Sequence, residues 1–150
     1  MSDQKNIIDK VEYFYIEIVE EFKEAEQKII NDSKFRSLFR KKNYDGNIAL
    51  LKDCKGKVLG INIMELKKQA QDQESKELTR QLGQALAAFR ELCDAHVRLQ
   101  VFLKKKARKE DAPFSQYKDI FNRVKQCREE VNSQLHGLDI LYTDYTESDE

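Results

Sequence analysis

His96, His136 and the three cysteines Cys54, Cys93 and Cys127 are the residues of this chain best suited to metal, redox or nucleophilic chemistry. A metal site needs several such ligands converging at fixed spacing. Neither histidine has a ligand partner of the Glu-x-x-His kind, and Glu91 and His96 are five apart, which is off a single helix face. The cysteines are odd in number, widely spaced and free of any Cys-x-x-Cys pair. That argues against both a zinc site and a disulfide framework. A phosphoacceptor histidine must face solvent with room for a partner domain. Ala95-His96-Val97-Arg98-Leu99 offers no Lys-Gly pair and no later Gly, and His96 falls on an apolar seam. A core histidine is therefore expected there, and a surface one at His136 beside Gly137. No Gly-x-Ser-x-Gly, Walker loop or dinucleotide fingerprint occurs, and Gly56-Lys57 lacks the upstream Gly of a phosphate loop. The chemistry points away from an enzyme and from any cofactor.

Charge is the next candidate. Lysine and arginine total 27, as do aspartate and glutamate, but they are unevenly placed. Residues 1–32 hold four basic and nine acidic residues, and 33–57 hold eight and two. Residues 104–138 hold nine and five, and 139–150 hold five acidic residues and no basic ones. Either these zones neutralise one another in the fold, or a basic one meets a partner. The sharpest clusters are Arg40, Lys41 and Lys42, and then Lys104, Lys105, Lys106, Arg108 and Lys109. A solvated helix end accounts for such a run. A contact with phosphates, nucleic acid or an acidic protein is the functional alternative, and a nuclear import signal has the same composition.

Long helices must position these residues. One Pro and five Gly leave long windows unbroken. Ile8, Val11, Tyr15, Ile18, Phe22, Ala25 and Ile29 recur at alternating spacings of 3 and 4, predicting a helix over 4–31 with a heptad seam. Leu78, Leu82, Ala85, Phe89, Leu92, His96, Leu99 and Leu103 predict a second over 78–107. Pro113 opens a third over 113–142, through Phe114, Tyr117, Ile120, Phe121, Val124, Cys127, Val131, Leu135, Leu138 and Leu141 or Tyr142. Between the first two, 33–77 reads as shorter helices and loops. A short helix fits 34–42, and Asn43-Tyr44-Asp45-Gly46 reads as a turn. Residues 47–61 fit either a small β-hairpin turning at Lys55-Gly56 or a short helix stopped by Gly56. The helix is favoured, because an isolated hairpin is marginal in water. Asn62 and Glu65 are spaced as an N-cap and its N3 partner.

The expected architecture is all-α: three long helices in an antiparallel bundle, one domain over 1–142, and an acidic disordered tail over 143–150. No apolar run approaches the roughly 20 residues that span a bilayer. The polar start and unpaired cysteines fit the cytoplasm, with the nucleus as alternative. The leading expectation is a non-enzymatic helical interaction module, such as an adaptor, a chaperone or a small subunit of a larger assembly. It would bind another chain or a second copy through Ile8, Val11, Tyr15, Ile18 and Phe22. The alternative is a small nucleic-acid-associated protein using the basic zones 34–57 and 104–109.

Overall fold

The computed structural model describes residues 2–33 and 43–148, so the expected helix 34–42 lies outside the described residues. Among those described, the secondary structure is helical throughout, with no strand. Helix α1 (Ser2–Tyr13), a π-helical segment (Phe14–Val19) and α2 (Glu20–Ser33) form one continuous rod. Then follow α3 (Tyr44–Leu59), α4 (Ile63–Gln69), α5 (Gln73–Ala107) and α6 (Phe114–Ser148). The last two have 35 residues each, about 52 Å at 1.5 Å per residue.

Side-chain pairings fix the topology. Asn6 donates to Gln69 at 2.7 Å, Phe14 and Phe22 both meet Phe89, and Glu26 meets His96, so the first rod runs parallel to α5. Gln81 pairs with Gln134, Arg123 with Glu91 and Tyr117 with Phe102, so α6 runs antiparallel to α5. Asn47 bonds Gln100 at 3.2 Å and Lys55 meets Asp94 at 2.8 Å, so α3 is antiparallel to α5 as well. The result is an up-down-up-down bundle with α5 at its centre, and the three long helices expected from the seams are all present.

Local chemistry explains the breaks. Asn43 caps α3 by accepting from the Gly46 amide at 3.0 Å. A Cβ at Gly46 would come within 2.3 Å of the Asn43 amide nitrogen, which is why glycine stands there. The segment read as a turn is thus a helix start. Asn62 accepts from the Glu65 amide at 3.1 Å, as its spacing predicts. Asp72 accepts from the Ser75 amide at 2.7 Å and starts α5 five residues before the first seam leucine. At the other end Lys109 adopts φ 60°, while the Glu110 amide reaches back to the Lys105 carbonyl at 3.0 Å. This is a Schellman-type stop with lysine in the place glycine usually takes.

Three expectations change. The hairpin alternative for 47–61 is not what forms. Asn47, Leu51, Cys54 and Val58 recur at spacings of 4, 3 and 4 and are all buried, a helical period that carries α3 straight through Gly56. Gly56 faces open space and does not stop the helix. The stripe of the first rod is rotated: Ile7, Val11, Phe14, Ile18, Phe22 and Ala25 are buried, while Ile8 and Tyr15 sit at its edge. Two successive spacings of 4 (14, 18, 22) would drift off an α-helical face. The π-helical turn, with its i→i+5 bonding, absorbs the drift. Finally, 143–148 is helix and not a disordered tail. Tyr145 is 3% exposed, because it extends the heptad row Val124, Val131, Leu138 by one more step.

One core cluster runs from Ile7 to Tyr145. Its aromatic centre is Phe89, edge-to-face with Phe14 (5.6 Å, 82°) and Phe22 (4.8 Å, 70°). Gly137 lies where Gln81 crosses α6, since a Cβ there would be 2.9 Å from the Gln81 amide nitrogen. That nitrogen donates to the Gln134 carbonyl at 2.9 Å.

Candidate interaction surface

The partner-binding residues expected on the first rod are mostly interior. Val11, Ile18 and Phe22 lie in the core, and Ile8 is half-buried against it. Tyr15 is also half-buried, and its hydroxyl donates to Asp139 on α6. Burial first, and then the Asp139 carboxylate, push its ionisation far above the usual tyrosine range. Among the described residues this stripe is covered by α3, α4, α5 and α6. A wide stripe is what a rod between several neighbours requires, and an open stripe would read the same in sequence.

The polar expectations fare differently. His96 is 3% exposed, and its Nε2 lies 3.2 Å from Glu26 Oε2. Arg128 on α6 donates to the same carboxylate oxygen, so one acid ties α2 to α5 and α6. Burial raises the Glu26 carboxyl, but the His96 hydrogen bond and the Arg128 charge outweigh it, leaving it below its usual 4.5. A lowered folded-state value means the charge stabilises the fold above about pH 4.5, and that contribution is lost as pH falls below it. Glu26→Gln is expected to lower stability at pH 7 by about 1–2 kcal/mol, the usual range for a hydrogen bond to a charged group. The deficit should shrink as the pH falls through the lowered Glu26 value. Urea titrations of both proteins at pH 7 and pH 3.5 measure it; an equal deficit at both would show that the charge is not its source.

All three cysteines are buried and free. Burial pushes the Cys54 and Cys93 thiols up to about 12, which keeps them protonated and unreactive. No group of three or more His, Cys, Asp or Glu side chains able to hold a metal ion occurs among the described residues. A cleft of about 600 Å³ between α1 and α3 is lined by Lys10, Tyr13, Lys52, Asp53, Gly56 and Lys57. Lys57 is already engaged there by Glu21.

The zones of opposite charge partly neutralise one another through Lys57–Glu21 and Arg128–Glu26, while Lys104–Asp45 at 2.6 Å ties the two basic zones together. The Lys104 hydrogen bond holds the Asp45 carboxyl below its usual range. Arg40, Lys41 and Lys42 lie outside the described residues. Lys105, Lys106, Arg108 and Lys109 are exposed at the end of α5.

What sequence reasoning missed stands beside them. Phe114, Tyr117 and Phe121 form a ring ladder on the first two turns of α6. Centroids are 6.1 and 5.9 Å apart, and the second pair is stacked at 14°. Phe114 is 72% exposed and Phe121 37%. Phe102 backs the middle ring from α5 at 6.0 Å and is itself buried. Lys106 reaches over Tyr117 (5.9 Å to the ring centroid), and Lys125 over Phe121 at 4.9 Å. The signal was present: Phe114, Tyr117 and Phe121 are spaced 3 and 4 and follow a basic run by a tight turn. They were read as the start of the third seam. Antiparallel pairing across the 108–113 turn folds Lys106 back onto Tyr117, and Lys125 reaches Phe121 from one turn further along α6.

No protein-family model, curated protein or solved structure matches this chain. No helix among the described residues is long and apolar enough to cross a membrane.

Proposed function

We propose that the chain is a non-enzymatic helical interaction module, an adaptor, chaperone or small subunit of a larger assembly. It makes its contact through the aromatic and basic face at the α5–α6 turn. One observation carries the reading: Phe114 and Phe121 are exposed and are joined into a row by the half-buried Tyr117, whereas the heptad seams are otherwise used internally. Tyr13, Ile16, Leu59, Met64, Val101 and Ile140 are also exposed, but apart from Tyr13 and Ile16 on the first rod each stands on a different element. Single exposed apolar residues are ordinary, and contiguous ones rimmed by charge mark contact sites. Binding through the 4–31 seam loses support, because its residues hold the bundle together. Three buried free thiols accord with a reducing compartment, the cytoplasm or nucleus.

Phe114→p-benzoylphenylalanine, irradiated in cells, is expected to give a discrete covalent adduct. The same substitution at Ile140, exposed on the same helix but distant from the ladder, is expected to give none. Equal labelling at both, or at neither, would overturn this placement of the contact face.

A further inference from the structure

We infer that the α5–α6 face is a binding track for single-stranded nucleic acid. This rests on the reading of that face as the contact surface and names its occupant. Two independent features converge. The first is the ladder: residues at i, i+3 and i+7 share one side of a helix, so Phe114, Tyr117 and Phe121 line up over about 10 Å of axis. Tyr117 and Phe121 are near-parallel at 14°, Phe114 is tilted from Tyr117 by 31°, and the two outer rings are exposed; every base has a flat face that stacks on such a ring.

The second is the charge. Residues 104–128 hold nine basic and three acidic residues. Lys106 and Lys125 lie over rings of the ladder itself, and Lys105, Arg108, Lys109 and Lys118 are exposed around it. A strand laid along α6 places bases on the rings and phosphates beside these cations.

The same features disfavour other occupants. A duplex hides its base faces, so it would use the lysines and leave the rings idle. An anionic bilayer is met by a broad apolar face, and three rings in single file with lysines over two of them are a narrow track. Stacking tolerates any base, so little sequence preference is expected.

The test is fluorescence anisotropy with a labelled 15-nucleotide oligouridine, a duplex of equal length, and vesicles containing phosphatidylserine. The wild type should bind the single strand and should prefer it over the duplex and vesicles by at least tenfold. Each phosphate neutralised contributes about −0.7 to the slope of log K against log salt, so five engaged cations predict a slope of about −3.5. The double variant Phe114→Ala/Phe121→Ala should weaken binding at least tenfold with helicity unchanged. Lys105→Glu/Lys106→Glu/Lys109→Glu should abolish it. Because the chain has no tryptophan, Phe121→Trp supplies a single reporter, expected to bind like the wild type and to be quenched by oligouridine.

Binding to the duplex or vesicles as tight as to the single strand, loss on charge reversal but not on ring removal, or no binding at all overturns the inference. If the cross-linker at position 114 captures protein while oligouridine does not bind, the nucleic-acid assignment falls and the interaction module stands. If both experiments are negative, both readings fall.

Discussion

Phe89→Ala is expected to lower unfolding stability by about 3–5 kcal/mol, the range for removing a buried aromatic ring. Phe89 is 1% exposed and fills the space between α5 and the first rod. The substitution removes a ring's burial and also two edge-to-face contacts, with Phe14 and Phe22. Such pairs contribute about 0.5–1.5 kcal/mol each beyond their buried area. The site cannot readily collapse, because Phe14 is held in the π-helical turn and Phe22 in the α-turn beyond it. A domain of this size has about 5–15 kcal/mol of stability in total, so the variant should sit near the edge of folding at 37 °C. Urea denaturation followed by circular dichroism measures it, with an unchanged slope and a lower midpoint expected. A loss under about 1 kcal/mol would mean that the first rod does not pack on α5 as described.

The route from sequence to fold was most legible where periodicity was long. Leu78 to Leu103 predicted α5 as a helix with a buried seam, and every seam residue but the half-buried Leu103 lies in the core. His96 was read as a core histidine from its seam position alone, and it is one. The first rod was legible as a helix, but its facing was not. A 3-4 pattern through Ile8 and Tyr15 competes with one through Ile7 and Phe14, and the π-helical turn that decides between them leaves no mark in the spacing. In α3, Lys55-Gly56-Lys57 looked like a break, yet a glycine on an open face lowers helix propensity by only about 1 kcal/mol, and three buried apolar residues outweigh that.

The candidate surface was half legible. The lysine run was visible, and the rings five to twelve residues beyond it were visible too. Sequence alone does not say that α1–α3 leave the first turns of α6 uncovered, so Phe114, Tyr117 and Phe121 read as core. The exposure of an amphipathic stripe depends on where its neighbours stop, which is a property of the assembled bundle and not of the stripe.

The acidic end of the chain makes the sharpest contrast between composition and packing. Removing residues 143–150 is expected to lower stability by about 2–3 kcal/mol, the low end for deleting a large buried side chain. Five acidic residues and no basic ones over 139–150 suggest a solvated tail. Yet α6 continues to Ser148, Tyr145 is 3% exposed, and the Thr146 hydroxyl donates to the Tyr142 carbonyl at 2.9 Å. Tyr142 in turn donates to Glu12 at 2.7 Å, fastening this end to the start of the first rod. Tyr145→Ala alone should give most of the loss, and Thr143→Ala, at an exposed position, should give under about 0.5 kcal/mol. Hydrogen exchange should show protected amides through about residue 146. A truncated chain as stable as the full one, or free exchange from residue 143 onward, would return this segment to the disordered tail that its charge suggests. Charge governs the solubility of such a segment, but one aromatic at the seventh position of an established row is enough to order it, because α-helical propagation adds a hydrogen bond per residue once the preceding turns are fixed.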